Sequence, residues 1–540
     1  MKMALSLSAL LLAATPALAD APRLVRQGTA TQLQVQGKPM LLLAGELGNS
    51  SDTSETYMAP HWKRLREMHL NTVLAPVSWE LIEPKEGQYD WSSVDMLIRN
   101  ARANNLHLVF LWFGAWKNSM STYVPGWVKR DQARFPRAQT PDGRGVEILS
   151  SMAPATLAAD EKVFAALLAH IKAVDERQNT VLMVQVENEI GMLPVARDYG
   201  PPADGAYRGQ VPAELMNALV QHHDTLVPEL RQRWEDNGAK TGGTWAQVFG
   251  AGTASEEIFT AWHYARFADA LTRAGKAAYD LPMYVNVALN RPGRAPGEYP
   301  SGGPLPHLID VWKAGAPALD FLAPDIYFPN FVDIVNRYKR PDNPLFIPEA
   351  NNSDHPQVPG NAFYAIGKLD AIGFGPFSIE SIDEKPGALV RAYDVLEQIS
   401  PQILAAQGLG RMSAFRPRVL YDETLNYEPV TERIGDYRFT VSFADIVKPV
   451  AGPQTGNAGA IIIQTGPEDY LIAGQGVTVT FVPVGPGQAG IGSAWEGRFE
   501  KDGRWVPGRL LNGDQTHQGR HIRLEPGEFQ IQRVNLYRYQ

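Results

Sequence analysis

Two carboxylates at the end of an apolar run are the first residues that could carry chemistry. In VLMVQVENEIG, from Val181 to Gly191, Asn188 stands between Glu187 and Glu189. Side chains alternate along a strand, so we expect both acids on one face, with Glu187 one layer deeper than Glu189. A buried carboxylate without a partner is costly, and we expect Glu187 to meet an arginine or a polar network. Glu189, followed at once by a loop, is the better candidate for acid–base chemistry.

A second acid, Glu349, is placed in the same way. In NPLFIPEANN an apolar run ends at Glu349 and a polar loop follows. Two such carboxylates can hydrolyse a glycosidic bond, because one protonates the leaving oxygen while the other acts at the anomeric carbon. Glu46 and Glu380 also end apolar runs, and they are the rival candidates for the second acid.

Eight short apolar runs alternate with segments of helical period, and they would position these acids. The predicted strands are 42–46, 71–80, 106–114, 181–189, 281–289, 319–327, 344–350 and 371–380. Continuous apolar runs are typical of parallel strands buried on both faces. This pattern predicts an α/β fold, a (β/α)8 TIM barrel. The alternative is a doubly wound sheet, in which a glycine-rich phosphate loop usually follows the first strand. The stretch at that place, AGELGNSS, does not have that form.

The active site of such a barrel lies where its strands end. The residues predicted there are carboxylates, amides and aromatics, without a cluster of lysines and arginines: Glu46, Trp79, Glu80, Trp112, Trp116, Asn188, Glu189, Asn286, Asp325, Tyr327, Glu349 and Glu380. Aromatic faces stack on the C–H faces of a sugar, and acids and amides bond to its hydroxyls. Each of the three tryptophans is equally well explained as a sugar platform or as core.

The chain divides into three predicted segments. Residues 1–19 have the charged start, apolar centre and Ala-Leu-Ala end of a signal peptide. Residues 20–410 form the catalytic barrel, with a long insertion from Met192 to Phe249 that we expect to shape the substrate pocket. Residues 411–540 alternate strand-like pieces with Gly/Pro turns, which predicts an all-β, sandwich-like domain. We therefore expect an exported protein, periplasmic or secreted.

Composition narrows the choice of partner. The net charge is −8, with 58 acids against 50 lysines and arginines, so binding to nucleic acid is not expected. After the first 19 residues no run is apolar and long enough to insert in a membrane. The chain has no cysteine and its histidines are scattered, so neither a metal nor another cofactor is expected. The expected partner is an oligosaccharide, and a homodimer is one allowed assembly.

Two stretches resemble glycoside hydrolase family 35, the β-galactosidases of the clan A barrel glycosidases. They are QVENEIG and WKRLREMHLNTVLAPVSWELIEPKEGQYDW, from Trp62 to Trp91. The resemblance covers most of residues 35–200, and the all-β tail is similar to the C-terminal module of the shorter bacterial members. It implies Glu189 as general acid/base, Asn188 as partner of the sugar 2-hydroxyl, Glu349 as nucleophile, and Tyr327 as the ring that steadies the nucleophile.

The resemblance also implies an activity. It is that of a retaining exo-β-galactosidase, which removes terminal β-D-galactosyl residues from oligosaccharides such as xyloglucan side chains. The further substrate-binding residues predicted from the strand ends are Trp116, Glu46, Trp79 and Asn118.

The chain departs from the family pattern at two positions. The family usually has Ala-Glu-Trp at the end of strand three, where this chain has Gly114-Ala115-Trp116, and a tyrosine where this chain has Pro76. Glu46, Glu80 and Asn118 are the candidates to replace the missing acid. The sugar therefore stays open, with a β-glucosidase or an arabinopyranosidase as alternatives. A carbohydrate-binding protein with an inactive barrel is the other alternative, although a binder has no need for two acids at strand ends.

Overall fold

The computed structural model describes residues 20–382, 387–443 and 458–540. The predicted signal peptide, residues 1–19, lies outside these residues. The described chain opens with a small antiparallel sheet, Arg23–Gln27, Ala30–Val35 and Lys38–Met40. Its Leu33 is fully buried among the side chains that fill the barrel interior, so this sheet covers the amino-terminal end of the barrel.

Eight parallel strands form the predicted barrel. In chain order they are β1 (Leu42–Glu46), β2 (Thr72–Ser78), β3 (His107–Phe113), β4 (Val181–Gln185), β5 (Met283–Ala288), β6 (Phe321–Ile326), β7 (Glu349–Ala350) and β8 (Gly373–Phe374). Strands β1 to β7 neighbour one another in that order, and β8 pairs with β1. Parallel bridges from Ile347 to Phe374 and from Asn352 to Phe377 join the β7 and β8 regions. The fold predicted from the sequence is confirmed.

The last two strands are much shorter than the apolar runs suggest. Pro348 and Pro376 stand within those runs. A proline has no N–H to donate to a sheet ladder, so regular pairing is reduced to two residues in each strand. Hydrogen bonds such as Gly375 N to Ile347 O, at 2.8 Å, still link the two segments.

Helices pack around the outside of the barrel. The main ones are α1 (His61–Glu67), α2 (Ser92–Ala103), α3 (Pro154–Asp175), α4 (Thr253–Ala278), α5 (Ile309–Gly315), α6 (Phe331–Tyr338), α7 (Val358–Leu369) and α8 (Ala388–Ala406). Shorter α-helices lie at Glu55–Met58, Trp79–Ile82 and Gly126–Arg130. In the described residues no helix is both long and apolar enough to cross a membrane.

The insertion after β4 is an ordered helical layer. Its helices are Pro201–Arg208, Ala213–Gln221, Pro228–Asp236 and Trp245–Phe249. The Arg197 guanidinium carbon lies 3.8 Å from the ring centroid of Tyr199 and 4.5 Å from that of Tyr207. Tyr199 donates to Glu256 and Tyr207 hydrogen-bonds to Ser255, both on α4, so these two tyrosines fasten the insertion to the barrel.

The C-terminal region is all β, as expected. One antiparallel sheet has the order Met412–Phe415, Gly459–Gln464, Asp469–Gln475, Gln530–Tyr539, Gln488–Phe499 and Trp505–Leu510. A second has the order Val430–Ile434, Tyr437–Ser442, Val477–Pro483 and Ile522–Leu524. The six-stranded sheet packs on α7, where a Cβ at Gly367 would lie 2.7 Å from Ile461 and 2.8 Å from Ala414. A glycine permits that close approach.

Candidate active site

Three carboxylates meet at the carboxyl ends of β4, β6 and β7. One oxygen each from Glu189, Asp325 and Glu349 lies within 4.8 Å of the others, and all three side chains are buried. Asp325 is the next-to-last residue of β6, and Glu349 opens β7. The barrel thus brings together the two acids that the sequence singles out as the catalytic pair.

The backbone after β4 sends its two glutamates in different directions. Regular strand ends at Gln185, and φ is positive at both Glu187 (60°) and Glu189 (46°). Non-glycine residues adopt this conformation at a cost and mostly where the surrounding structure holds them there. The expectation that the two acids share a face is wrong, because strand alternation no longer applies beyond Gln185.

Glu187 belongs to a buried polar network behind the barrel wall. Its two carboxylate oxygens accept from the backbone N–H groups of Ala115, at 3.2 Å, and Trp116, at 2.8 Å. Asp160 on α3 accepts from Ala115 N and from Trp112 Nε1, each at 2.9 Å. Burial, followed by the neighbouring Asp160 charge, raises the pKa of Glu187 well above its ordinary value. Burial also raises the pKa of Asp160 to about 6. The polar network expected around Glu187 is present.

Glu189 is held as a carboxyl group that keeps its proton near neutral pH. The Asn118 amide donates to one of its carboxyl oxygens, and its backbone N–H donates to Asn286 Oδ1 at 2.9 Å. Burial first, and then the charge of Glu349, raise the pKa of Glu189 to about 7, against the lowering effect of Lys117. A group with this pKa can donate a proton at neutral pH, as a general acid must.

Glu349 has a different donor. The Tyr327 hydroxyl donates to Glu349 Oε1, while no N–H or hydroxyl of the described residues donates to Glu349 Oε2. Glu46, at the end of β1, lies close to Glu349. Burial and then the Glu349 charge raise the pKa of Glu46 well above its ordinary value. A phenol that donates to one oxygen and leaves the other open is a suitable setting for a nucleophilic carboxylate.

Lys117 supplies the positive charge among these acids. Its ammonium donates to Asn188 Oδ1 at 2.9 Å, and its charge lowers the pKa values of Glu46, Glu189 and Asp325. The three clustered carboxylates have a spacing that could hold a cation. Lys117 offsets one of these charges, and the raised pKa values of Glu189 and Asp325 reduce the remaining negative charge.

Several buried polar atoms around the site have no hydrogen-bond partner among the residues that the structure describes. They are Glu46 Oε1, Asn188 Nδ2, Tyr284 Oη, Asp325 Oδ1 and Glu349 Oε2. Buried polar groups are nearly always hydrogen-bonded. Donors and acceptors left open in one place are therefore what a ligand with several hydroxyls requires. Asn188 Nδ2 is a donor of the kind that the predicted contact with a sugar hydroxyl needs.

The predicted tryptophans are packed as core residues. Trp79 is fully buried, meets Trp127 edge-to-face and donates to Glu83 at 2.9 Å. Trp116 is fully buried against Tyr264 and Phe267. The packing of both therefore favours the core alternative, and a direct contact with substrate stays a prediction for each.

The other predicted residues divide between the site and its surroundings. Asn118 and Glu46 contact or neighbour the catalytic pair, as described above. Glu380 is buried beside β1, where it accepts from Gly48 N at 2.8 Å and from Ser51. Glu80 forms an ion pair with Lys129 at 3.0 Å. Neither acid is part of the carboxylate cluster.

Sequence reasoning missed one residue that organises the site and gave no role to two others. The missed residue is Lys117, which directly follows Trp116, so its place after strand three was a usable signal. Asn286 and Asp325 were expected at the strand ends, but no role was assigned to either. Asn286 Nδ2 donates to Asp325 Oδ2 at 2.5 Å, and this bond links β6 to the Asn286 side chain that also positions Glu189.

Residues 50–273 match the model of glycoside hydrolase family 42, described as beta-galactosidase. Residues 389–523 match a domain of unknown function, DUF5597. A beta-galactosidase of Xanthomonas manihotis is 29% identical over 210 residues, which are 37% of this chain and 31% of the relative. The chain thus spans about a third of the length of the curated relative that it matches. These matches confirm the resemblance of the barrel to the β-galactosidases among the glycoside hydrolases. They do not extend to family 35 itself.

Two solved structures are similar in part. The beta-galactosidase of the psychrophilic Marinomonas ef1 has a TM-score of 0.45 at 11% identity, covering 68% of this chain and 61% of that one. The catalytic domain of a Paenibacillus polymyxa beta-amylase has a TM-score of 0.43 at 13% identity, covering 66% of this chain and 97% of that one.

Proposed function

We propose that this protein is a retaining exo-β-galactosidase. The observation that carries the proposal is the spacing of Glu189 and Glu349, whose nearest carboxylate oxygens lie within 4.8 Å across the barrel mouth. Retaining glycosidases place their carboxyl groups about 5–5.5 Å apart, and inverting enzymes about 6.5–9.5 Å apart to leave room for water. The short spacing supports direct attack by one carboxylate on the sugar.

The two acids would act in sequence. Glu349 attacks the anomeric carbon while Glu189 gives its proton to the leaving oxygen, which forms a glycosyl–enzyme ester and releases the aglycone. Glu189, now ionised, takes a proton from water, and the water oxygen displaces Glu349 from the anomeric carbon. The pKa of about 7 for Glu189 supports its double role as acid and then base. Asn188 Nδ2 would bond to the sugar 2-hydroxyl.

Galactose is the proposed sugar because the barrel resembles β-galactosidases. The QVENEIG and Trp62–Trp91 stretches resemble family 35 as well, and terminal galactose of xyloglucan side chains is one proposed natural substrate. The strand-three acid of that family is absent, and Lys117 lies in its neighbourhood instead. This replacement favours a glucoside or an arabinopyranoside as the second candidate substrate.

A panel of nitrophenyl glycosides tests the function. We expect β-galactoside to be hydrolysed fastest, and Glu189→Gln and Glu349→Gln each to lower kcat by about a thousandfold or more, which is roughly 4 kcal/mol of barrier. Glu80→Gln, at the ion pair with Lys129, is the matched control and should retain full activity. If the β-glucoside or the arabinopyranoside is hydrolysed faster, that sugar and not galactose is the preferred substrate. A purified, folded protein without activity on any of them would overturn the proposal in favour of a binding protein.

We also propose that the protein is exported. The first 19 residues support this, and the mature chain would begin at Asp20. Sequencing the amino terminus of the protein recovered from periplasm and medium tests this proposal. Recovery of the protein from the cytoplasm alone, with Met1 still in place, would contradict it. The homodimer stays a prediction, which analytical ultracentrifugation can test.

A further inference from the structure

A hairpin of the C-terminal domain reaches the mouth of the barrel. Its strands, Arg418–Val419 and Leu425–Asn426, pair antiparallel, and residues 420–424 form the tip. Arg418 binds Asp333 on α6 through Nε at 3.0 Å and Nη2 at 2.8 Å. The hairpin is therefore fastened to the segment that directly follows β6.

The tip of the hairpin also faces the loop that follows β7. Glu423 lies close enough to His355 that its charge opposes the effect of burial, which lowers the pKa of that histidine. His355 comes six positions after Glu349 in the chain. The hairpin thus borders the loop that begins with Tyr327 and the loop that follows Glu349 and Ala350, and Tyr327 and Glu349 are joined by the phenol–carboxylate hydrogen bond.

An aromatic pair joins the two domains at this place. Tyr421, on the hairpin tip, meets Phe328 edge-to-face with ring centroids 5.5 Å apart. Phe328 directly follows Tyr327 in the chain, so the aromatic pair begins one residue from the tyrosine that donates to Glu349. Tyr421 is 43% exposed and Tyr327 is 44% exposed, so both rings leave surface open to a ligand.

The aromatic pair lines a cleft of about 230 Å³ that opens beyond the ends of β5 and β6. The cleft is also bordered by Asn290, two residues past β5, by Asn330, four residues past β6, and by Pro292. Asn330 Oδ1 is buried and has no partner in the described part of the chain. Aromatic faces next to an open amide oxygen are what a sugar ring binds. This cleft lies further out than the carboxylates, which stand at the strand ends.

We propose that this cleft binds the sugar unit on the leaving-group side of the scissile bond, with Tyr421 as its stacking surface. The inference rests on the proposed function. The galactosyl unit must lie between Glu189 and Glu349, deep in the mouth, so the leaving group must extend outward, and Tyr327 and Phe328 stand at one side of that exit. The preferred substrates are then galactosides whose aglycone is itself a sugar, and the second domain supplies part of that specificity.

Two substrates that differ only in the leaving group test the proposal. β-Galactosyl fluoride has a leaving group of one atom and cannot reach the cleft, whereas a β-galactosyl disaccharide fills it. We expect Tyr421→Ala to lower kcat/KM on the disaccharide about tenfold, mainly through KM, and to leave hydrolysis of the fluoride unchanged. Tyr421→Phe keeps the ring and should retain activity on both. Tyr537→Ala is the control, since Tyr537 is 45% exposed on the last strand of the C-terminal domain.

Each other outcome overturns the inference in its own way. Unchanged hydrolysis of both substrates by folded Tyr421→Ala would show that the cleft is not used. An equal loss on both substrates would show that Tyr421 only supports the barrel mouth. A wild-type protein that hydrolyses neither substrate would overturn the proposed function, and the inference with it.

Discussion

Glu189 and Glu349 face each other with oxygens within 4.8 Å, yet each has its own hydrogen-bond donor. Glu189 receives the amide of Asn118, and Glu349 receives the phenol of Tyr327. Burial and then the neighbouring charge of Glu349 raise the pKa of Glu189 to about 7, so Glu189 is the carboxyl that holds a proton near neutral pH. This asymmetry is the physical basis for naming one the acid and the other the nucleophile.

The alkaline side of the activity profile should report the proton on Glu189. Because its pKa is raised to about 7, the protonated acid is lost as the pH rises through that value. We expect kcat/KM to fall about tenfold per pH unit above it. The measurement is kcat/KM for β-galactoside from pH 5 to 9.

A variant separates the two causes of that raised pKa. Glu349→Gln removes the like charge, so the carboxyl of Glu189 should titrate at lower pH, as carbon NMR of labelled glutamate can follow. An unchanged titration in this variant would show that burial alone sets the pKa, and that the two acids are not coupled.

Tyr327→Phe should slow the reaction with little change in substrate binding. The phenol donates to Glu349, and a hydrogen bond to a charged group contributes about 1.5–3 kcal/mol. The expected loss in kcat is about 10- to 150-fold, with KM within a few-fold of wild type. Tyr537→Phe, on an exposed strand, is the control. A Tyr327→Phe enzyme with full kcat would mean that the phenol does not position the nucleophile.

Removing the Lys117 charge should move the activity profile toward higher pH. The ammonium lowers the pKa of Glu189, so Lys117→Met lets that pKa rise and extends the protonated acid to more alkaline conditions. Because Lys117 also holds Asn188 Oδ1 at 2.9 Å, we expect kcat to fall as well. The check is the pH profile of Lys117→Met beside that of Lys129→Met, whose lysine pairs with Glu80 at the surface. A profile that stays in place, or shifts toward acid, would contradict this account of the charge balance.

Glu187→Gln should make stability less dependent on pH without removing activity. Burial raises the pKa of Glu187, and that of Asp160 to about 6, above the values of the unfolded chain. Their stabilising effect is therefore fully present below pH about 4, and it is lost as the pH rises through the folded-state values. The amide of glutamine can donate to Asp160, and Ala115 N still has Asp160 as acceptor at 2.9 Å.

Chemical unfolding between pH 4 and 8 measures this effect. We expect the free energy of unfolding of the wild type to decline across that range by roughly 1 to 3 kcal/mol more than that of Glu187→Gln. Hydrolysis of β-galactoside should stay within a few-fold of wild type, since Glu187 contacts Ala115 and Trp116 rather than the carboxylate cluster. Loss of activity in a folded Glu187→Gln protein would place this residue in the chemistry after all.

Residue pattern was enough to predict the barrel and to bring Glu189 and Glu349 together. Each ends or follows an apolar run, and parallel strands in a barrel must end on one face, so their meeting follows from topology alone. The face on which Glu187 lies did not follow. It depends on positive φ values that begin only after Gln185, and no residue type in that stretch predicts them.

Contacts made through tertiary structure were beyond prediction from the sequence. Lys117 becomes a site residue because a turn at Asn118 and Ser119, both with positive φ, folds the chain back over Glu189. Trp116 lies next to it in sequence, yet its ring packs outward on Phe267 of α4. Tyr421 is some seventy residues from Glu349 in the chain, and the pairing of Arg418 with Asp333 helps to place it beside Phe328.

The stereochemistry of the first product tests the central claim most directly. Proton NMR during hydrolysis of an aryl β-galactoside distinguishes the two anomers of galactose before they interconvert. If Glu349 attacks the sugar and Glu189 serves as acid and then base, β-galactose appears first and the α anomer follows only by mutarotation. If α-galactose appears first, water and not Glu349 attacks the anomeric carbon, and the roles assigned to the two carboxylates are wrong.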